Sequence, residues 1–213
     1  MNKVFLKIKQ TGIIPVIKLE NPNDIIPLSE ALLKGGINVA EITFRTSAAE
    51  DAIKKLKSIN NEMIIGAGTV LTTDNAERAI AAGAEFIVSP GFNPKIVDYC
   101  INRNFPIAPG ISIPSEIEQA LERGLDVVKF FPAEQSGGLP KIKAMSAAYG
   151  DIMFIPTGGI SADNLSSYIS FNKVLACGGT FMVKDSLIKE KQWNTISELS
   201  RKAVEIVNIS RKP

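Results

Sequence analysis

Histidine is absent from this 213-residue chain, and that one absence removes a large part of enzyme chemistry. No Ser–His triad, no Cys–His pair and no His-ligated zinc site can be built. A catalytic base has to come from a carboxylate, a lysine, a tyrosine or a bound cofactor. Cysteine is nearly absent too. Cys100 and Cys177 are too few and too far apart for a metal knuckle or a disulfide framework, so both read as small buried apolar residues. Charge of one sign is not in excess: 24 Lys and Arg stand against 22 Asp and Glu, a formal net of +2. No basic run stands out, so neither nucleic acid nor a membrane surface is expected as a partner. No apolar stretch reaches the roughly 18 residues of a spanning helix. Residues 1–10 lack the apolar core of a signal peptide, and the expected location is the cytoplasm. With no histidine cluster and no paired-carboxylate site in view, neither a metal nor a cofactor is expected.

What is present is a loose repeat of about twenty to twenty-six residues. Apolar, β-rich runs begin near Ile13, Val39, Met63, Phe86, Pro106, Val127, Ile152 and Val174. They read IIPVIK, VAEITF, MIIGAG, FIVSPG, PIAPG, VVKFFP, IMFIPTGG and VLACGG, each too short for a helix and suited to a buried strand. Helical patterns fill the gaps. Asn21-Pro22 starts one, Thr72 or Thr73 caps another, and Ser161 with Asp163 caps a third. Several of these helices end in glycine before the next strand. Such alternation predicts parallel strands joined by right-handed crossovers. Eight units close most naturally as a compact (β/α)8 barrel, with an open doubly wound sheet as the other arrangement. Residues 2–11 are predicted to form an extra helix plugging the barrel bottom, and 190–209 a long last helix. No linker or second domain is visible, so residues 1–213 read as one barrel domain.

In a barrel the strand ends carry function, so polar residues late in the runs are the candidates. The second run offers Glu41, Thr43 and Arg45, which alternation places on one face. A carboxylate and a guanidinium inside a barrel are costly unless paired or functional, and a structural Glu41–Arg45 ion pair is one reading of them. The third run ends Gly66-Ala67-Gly68-Thr69, glycines that permit close backbone approach and a hydroxyl at the mouth. The sixth run carries Lys129, grouped by alternation with Val127 and Phe131. A lysine among Val128, Phe130 and Phe131 is out of place in a buried strand. Its structural reading is a salt bridge to Glu41. Its chemical reading is a nucleophile, because an apolar strand interior disfavours the charged amine and only neutral amine attacks a carbonyl. Lys18, at the end of the first run beside charged residues, reads as solvated. Two diglycine turns close the set, Thr157-Gly158-Gly159-Ile160-Ser161 and Cys177-Gly178-Gly179-Thr180. They follow the seventh and eighth runs, where many barrels hold phosphate.

These segments resemble the bacterial 2-keto-3-deoxy-6-phosphogluconate and 4-hydroxy-2-oxoglutarate aldolases. The matches are PVI (15–17), EITFRT (41–46), IGAGTV (65–70), SPG (89–91), PGIS (109–112), KFFPAE (129–134), PTGGIS (156–161) and GGT (178–180), in family order across almost the whole chain. The resemblance implies a (β/α)8 barrel, a homotrimer, no metal, and a small 2-keto acid phosphate as substrate. It implies Lys129 as the imine-forming residue and Glu41 as the proton-transfer base. Arg45 and Thr69 are implied to hold the pyruvate carboxylate and neighbouring oxygens, with Thr157, Gly158, Gly159, Gly178, Gly179 and Thr180 around the phosphate. Thr180 departs from the serine more usual in the family. Two other classes compete on the residues alone. A barrel that isomerises or decarboxylates a sugar phosphate explains the diglycines but leaves Lys129 without a covalent task. A sensor of phosphorylated sugar acids needs no buried nucleophile.

Overall fold

The computed structural model describes residues 1–59 and 62–211; residues 60, 61, 212 and 213 of the expected 1–213 domain lie outside the described residues. Five apolar strands, β1 (Ile13–Ile17), β2 (Val39–Thr43), β3 (Ile64–Gly68), β4 (Phe86–Val88) and β5 (Ile107–Ala108), are followed by β6 (Gly110–Ile111), β7 (Val127–Phe130), β8 (Met153–Pro156) and β9 (Cys177–Gly179). All paired strands are parallel, and nearly every strand residue is buried. Such two-sided burial explains why the runs are apolar throughout rather than alternating.

The fold is α/β, with a six-stranded parallel sheet in the order β5-β4-β3-β2-β1-β9 and a three-stranded one in the order β6-β7-β8. The first sheet runs in consecutive order with the last strand beside the first. A doubly wound sheet would reverse its order part-way, so that alternative is set aside. Eight runs became nine strands because the fifth is split at Pro109. Proline has no amide to donate, and at this point the chain leaves β4 for β7: Ile107 and Ala108 pair with Ile87 and Val88, whereas Gly110 and Ile111 pair with Lys129 and Phe130. The eighth run also differs. Val174 makes only an isolated bridge to Phe154, and the strand proper begins at Cys177, where the chain moves over to β1. Thr157 and Gly178 form a second bridge beyond β8.

Helices α1 (Lys3–Thr11), α2 (Ile25–Lys34), α3 (Ala49–Ser58), α4 (Thr73–Ala82), α5 (Pro94–Ile101), α6 (Pro114–Glu122), α7 (Gly138–Ala148), α8 (Ala162–Ile169), α9 (Asp185–Lys189) and α10 (Trp193–Ser210) lie before, between and after the strands. The expected N-terminal helix is α1. Asn2 caps it by accepting from the Val4 amide at 2.9 Å, and its buried Phe5 meets Phe86, the first residue of β4, edge to face. Thr72 caps α4, accepting from Asn75 at 3.1 Å. Asn21-Pro22 starts a 3-10 turn (Pro22–Asp24) before α2 rather than the helix itself. The predicted helix over 190–209 is shorter at its start. Lys191 takes a left-handed conformation (φ 55°), which separates the short α9 from α10.

Candidate active site

Glu41 is the third residue of β2 and Lys129 the third of β7. Their side chains meet: Lys129 Nζ lies 3.3 Å from Glu41 Oε1, with 1% of Glu41 and 4% of Lys129 exposed to solvent. An amine and a carboxylate so far from water persist only if each serves the other. The ring of Phe131 stands 5.2 Å from the same nitrogen, as alternation along the strand requires. The neighbouring β3 explains how a carboxylate fits here. Gly68 faces Glu41 so closely that a methyl group on it would overlap the carboxylate. The glycines of GAGT therefore allow close approach inside the protein, Gly68 to Glu41 and Gly66 to Phe86.

Arg45 is placed differently from the expectation. The strand ends at Thr43, whose hydroxyl donates to the Ile17 carbonyl at 2.8 Å, and the chain then turns. Alternation stops there, so Arg45 does not share the buried face of Glu41. It sits exposed, and its Nε donates to Thr69 Oγ1 at 3.3 Å. The Glu41–Arg45 ion pair is not formed; Glu41 pairs with Lys129 instead. Thr69 itself has φ 54°, a conformation unusual for a β-branched residue and one that concentrates at functional sites.

The two diglycines come together. Thr157, Gly158, Gly159, Gly178, Gly179 and Thr180 line one cavity of about 110 Å³, along with Arg45, Val16, Phe131 and Ile160. Only one diglycine is a turn. Gly158 and Gly159 take φ 100° and 79°, whereas Gly178 and Gly179 belong to the extended strand β9. Gly178 is needed for space, because a methyl there would strike the Thr157 hydroxyl. That hydroxyl is buried and has no hydrogen-bond partner among the described residues. A buried donor of this kind in a cavity wall is suited to an anionic ligand. Glu41, Lys129 and Thr69 do not line this cavity. Lys129 is linked to it through the Phe131 ring, Glu41 through its register partner Val16, and Thr69 through Arg45. Phe131 and Val16 were not among the expected site residues, although alternation had already put Phe131 on the face of Lys129.

Lys18 lies just past β1, one-third exposed, 2.7 Å from Glu20 and 3.7 Å from Asp185. The hydrogen bond to Glu20, reinforced by that carboxylate's charge, holds its amine above the usual lysine range, which suits the solvated role expected of it. Cys100 and Cys177 are both buried and free. Among the described residues no three His, Cys, Asp or Glu side chains gather into a metal-binding group, and no helix is long and apolar enough to cross a membrane.

The family model for KDPG and KHG aldolase matches residues 4–199. The chain belongs to this family. Family membership makes it a carbon–carbon lyase of the class I aldolase type. The chain is 45% identical over 205 residues to the 2-dehydro-3-deoxy-phosphogluconate aldolase of Haemophilus influenzae, covering 96% of this chain and 97% of that one. It is 44% identical over 209 residues to the enzyme of the same name from Treponema pallidum, covering 98% and 100%. Among solved structures, the KDPG aldolase of Legionella pneumophila, with pyruvate captured at low pH as a covalent carbinolamine intermediate, superposes with a TM-score of 0.91 at 36% identity, covering 95% of this chain and 98% of that one. A lysine paired with a carboxylate is expected on either a structural or a catalytic reading.

Proposed function

We propose that this protein reversibly cleaves 2-keto-3-deoxy-6-phosphogluconate to pyruvate and glyceraldehyde 3-phosphate, and 4-hydroxy-2-oxoglutarate to pyruvate and glyoxylate, with Lys129 as the imine-forming residue. The observation that carries this reading is the buried Lys129 Nζ held 3.3 Å from Glu41 Oε1. Transfer of one proton from Nζ to Oε1 replaces two buried charges by a neutral amine and a neutral carboxyl. The amine then adds to the C2 carbonyl of the keto acid. Glu41 supplies and removes the protons of carbinolamine formation and dehydration. The resulting iminium draws the C3–C4 bonding pair toward nitrogen while the C4 hydroxyl passes its proton to the Glu41 carboxylate left by dehydration. Glyceraldehyde 3-phosphate departs and a neutral enamine remains. Protonation at C3 and hydrolysis of the imine release pyruvate and the free lysine.

Arg45, braced by Thr69, binds the pyruvate carboxylate, for which a planar guanidinium offers two parallel donors. Thr157, Gly158, Gly159, Gly178, Gly179 and Thr180 surround the phosphate, and the unpartnered Thr157 hydroxyl supports that use of the cavity. Residues 1–213 act as one aldolase domain closed as a (β/α)8 barrel. The continuity of β5 and β6 through Pro109 and the Thr157–Gly178 bridge support closure. The family resemblance supports a homotrimer working in the cytoplasm without a metal. Pyruvate release from the phosphorylated keto acid, followed with lactate dehydrogenase and NADH, is expected from the native chain and not from Lys129→Arg. A native chain that releases no pyruvate from either keto acid overturns the assignment.

A further inference from the structure

We propose that Glu134 and Tyr168 are positioning residues that set the place of the Gly158–Gly159 turn relative to Lys129, and thereby the fit of the phosphate end of the substrate. The inference rests on the reading of the diglycine cavity as a phosphate site.

Glu134 follows Lys129 on the same stretch of chain, opening a 3-10 turn (Glu134–Ser136) just past β7. Its amide donates to the Gly158 carbonyl at 3.1 Å, and the preceding Ala133 amide donates to the Thr157 carbonyl at 2.8 Å. The aliphatic stem of Glu134 lies against Gly159, where a methyl group would come within 2.7 Å of its Cβ. The segment after the lysine strand is thus laid directly along the back of the glycine turn.

What holds the Glu134 side chain there is the hydroxyl of Tyr168, which donates to its Oε1. Tyr168 belongs to α8, the helix that the glycine turn leads into, and is 2% exposed. From the same helix Asn164 Nδ2 donates to the Gly159 carbonyl at 3.0 Å, while its Oδ1 accepts from the Ser161 amide at 2.9 Å. The turn is therefore gripped from both sides, and the Tyr168–Glu134 bond is the side-chain link that joins the two grips. The imine nitrogen and the phosphate turn hang from one frame. Neither Glu134 nor Tyr168 lines the cavity; both stand behind the glycine turn. Small displacements of a binding group relative to the reacting centre are amplified in rate and affinity, which gives a bond behind the turn leverage over the substrate in front of it.

The test compares the phosphorylated keto acid with pyruvate, which lacks the phosphate and engages only the lysine end. Tyr168→Phe keeps the buried ring and removes the bond. It is expected to raise KM for 2-keto-3-deoxy-6-phosphogluconate about tenfold with kcat within about twofold. The pyruvate concentration giving half-maximal borohydride trapping should not move. Glu134→Ala should reproduce that pattern, and Glu134→Gln, which keeps an acceptor for the Tyr168 hydroxyl, should restore KM to within about twofold of the native value. A phosphorylated-substrate KM unchanged in both Tyr168→Phe and Glu134→Ala overturns the proposal while leaving the phosphate site intact. An equal loss with pyruvate also overturns it, as general packing damage would give, and so does a Glu134→Gln no better than Ala. If native enzyme does not prefer phosphorylated over unphosphorylated substrate, the phosphate reading falls and this inference falls with it.

Discussion

Lys129 Nζ and Glu41 Oε1 meet at 3.3 Å although their strands share no hydrogen-bonded edge: β2 lies between β1 and β3, and β7 between β6 and β8. The pair spans the space between the two sheets. A proton exchanged within the pair links buried structure to imine chemistry.

Treating the protein with pyruvate and borohydride together is expected to modify Lys129 and no other lysine. Lys18 is the natural control, since Glu20 holds its amine protonated beyond the ordinary lysine range. Peptide mapping by mass spectrometry locates the adduct. Lys129→Arg keeps the charge and much of the volume, yet forms no imine. It should fold, fail to trap pyruvate and show background cleavage. An adduct on Lys18 would refute the assignment.

Gly68→Ala places a methyl group on the Glu41 carboxylate. The carboxylate is forced out of its present position beside Lys129, so proton transfer suffers. The expected loss in kcat is about a hundredfold, the usual scale for a displaced acid–base group. Single-turnover trapping should slow in parallel. Native kcat in this variant would mean that Glu41 does not need its present position.

Thr157→Val removes a buried hydroxyl that has no protein partner. Folding stability should hold or rise, because an unsatisfied buried polar group costs about 1–3 kcal/mol. KM for the phosphorylated keto acid should nevertheless rise about tenfold, as for a lost neutral hydrogen bond to ligand. Thermal unfolding and steady-state kinetics on the same preparation check both halves. A drop in stability with unchanged KM would make Thr157 a structural residue.

Burial pushes the Cys100 thiol from 9.0 up to about 11. A thiol raised on folding leaves stability intact below pH 9.0 and erodes it as pH climbs from there through about 11, because the unfolded chain ionises first. Cys100→Ala should therefore show a shallower fall in denaturation midpoint across that alkaline window than the native chain. In the folded protein at pH 8, thiol reagents should react slowly with both cysteines and quickly after unfolding. Rapid labelling of folded protein would contradict their burial.

Much of this architecture is local and was therefore legible in the residues. Short Val- and Ile-rich runs make buried strands, Thr72 caps its helix from within one turn, and a lysine between Val128 and Phe130 is anomalous wherever the chain is folded. The absence of histidine likewise narrows the chemistry before any fold is known. The residues also offered Glu41 as the partner of Lys129, and the two do meet; tertiary structure alone decided where Arg45 goes. Alternation offered Glu41 and Arg45 on one face, but the chain turns after Thr43 and sends Arg45 to Thr69 instead. It also decided that Gly178–Gly179 is strand rather than turn, since pairing with Ile14 and Pro15 of β1 extends a dipeptide that by itself accepts either conformation. The meeting of Tyr168 with Glu134, and the space Gly68 leaves for Glu41, had no signature along the chain. Such contacts depend on strand register and on how two sheets face one another, and those are set by the packing of the whole core rather than by any residue's neighbours in sequence.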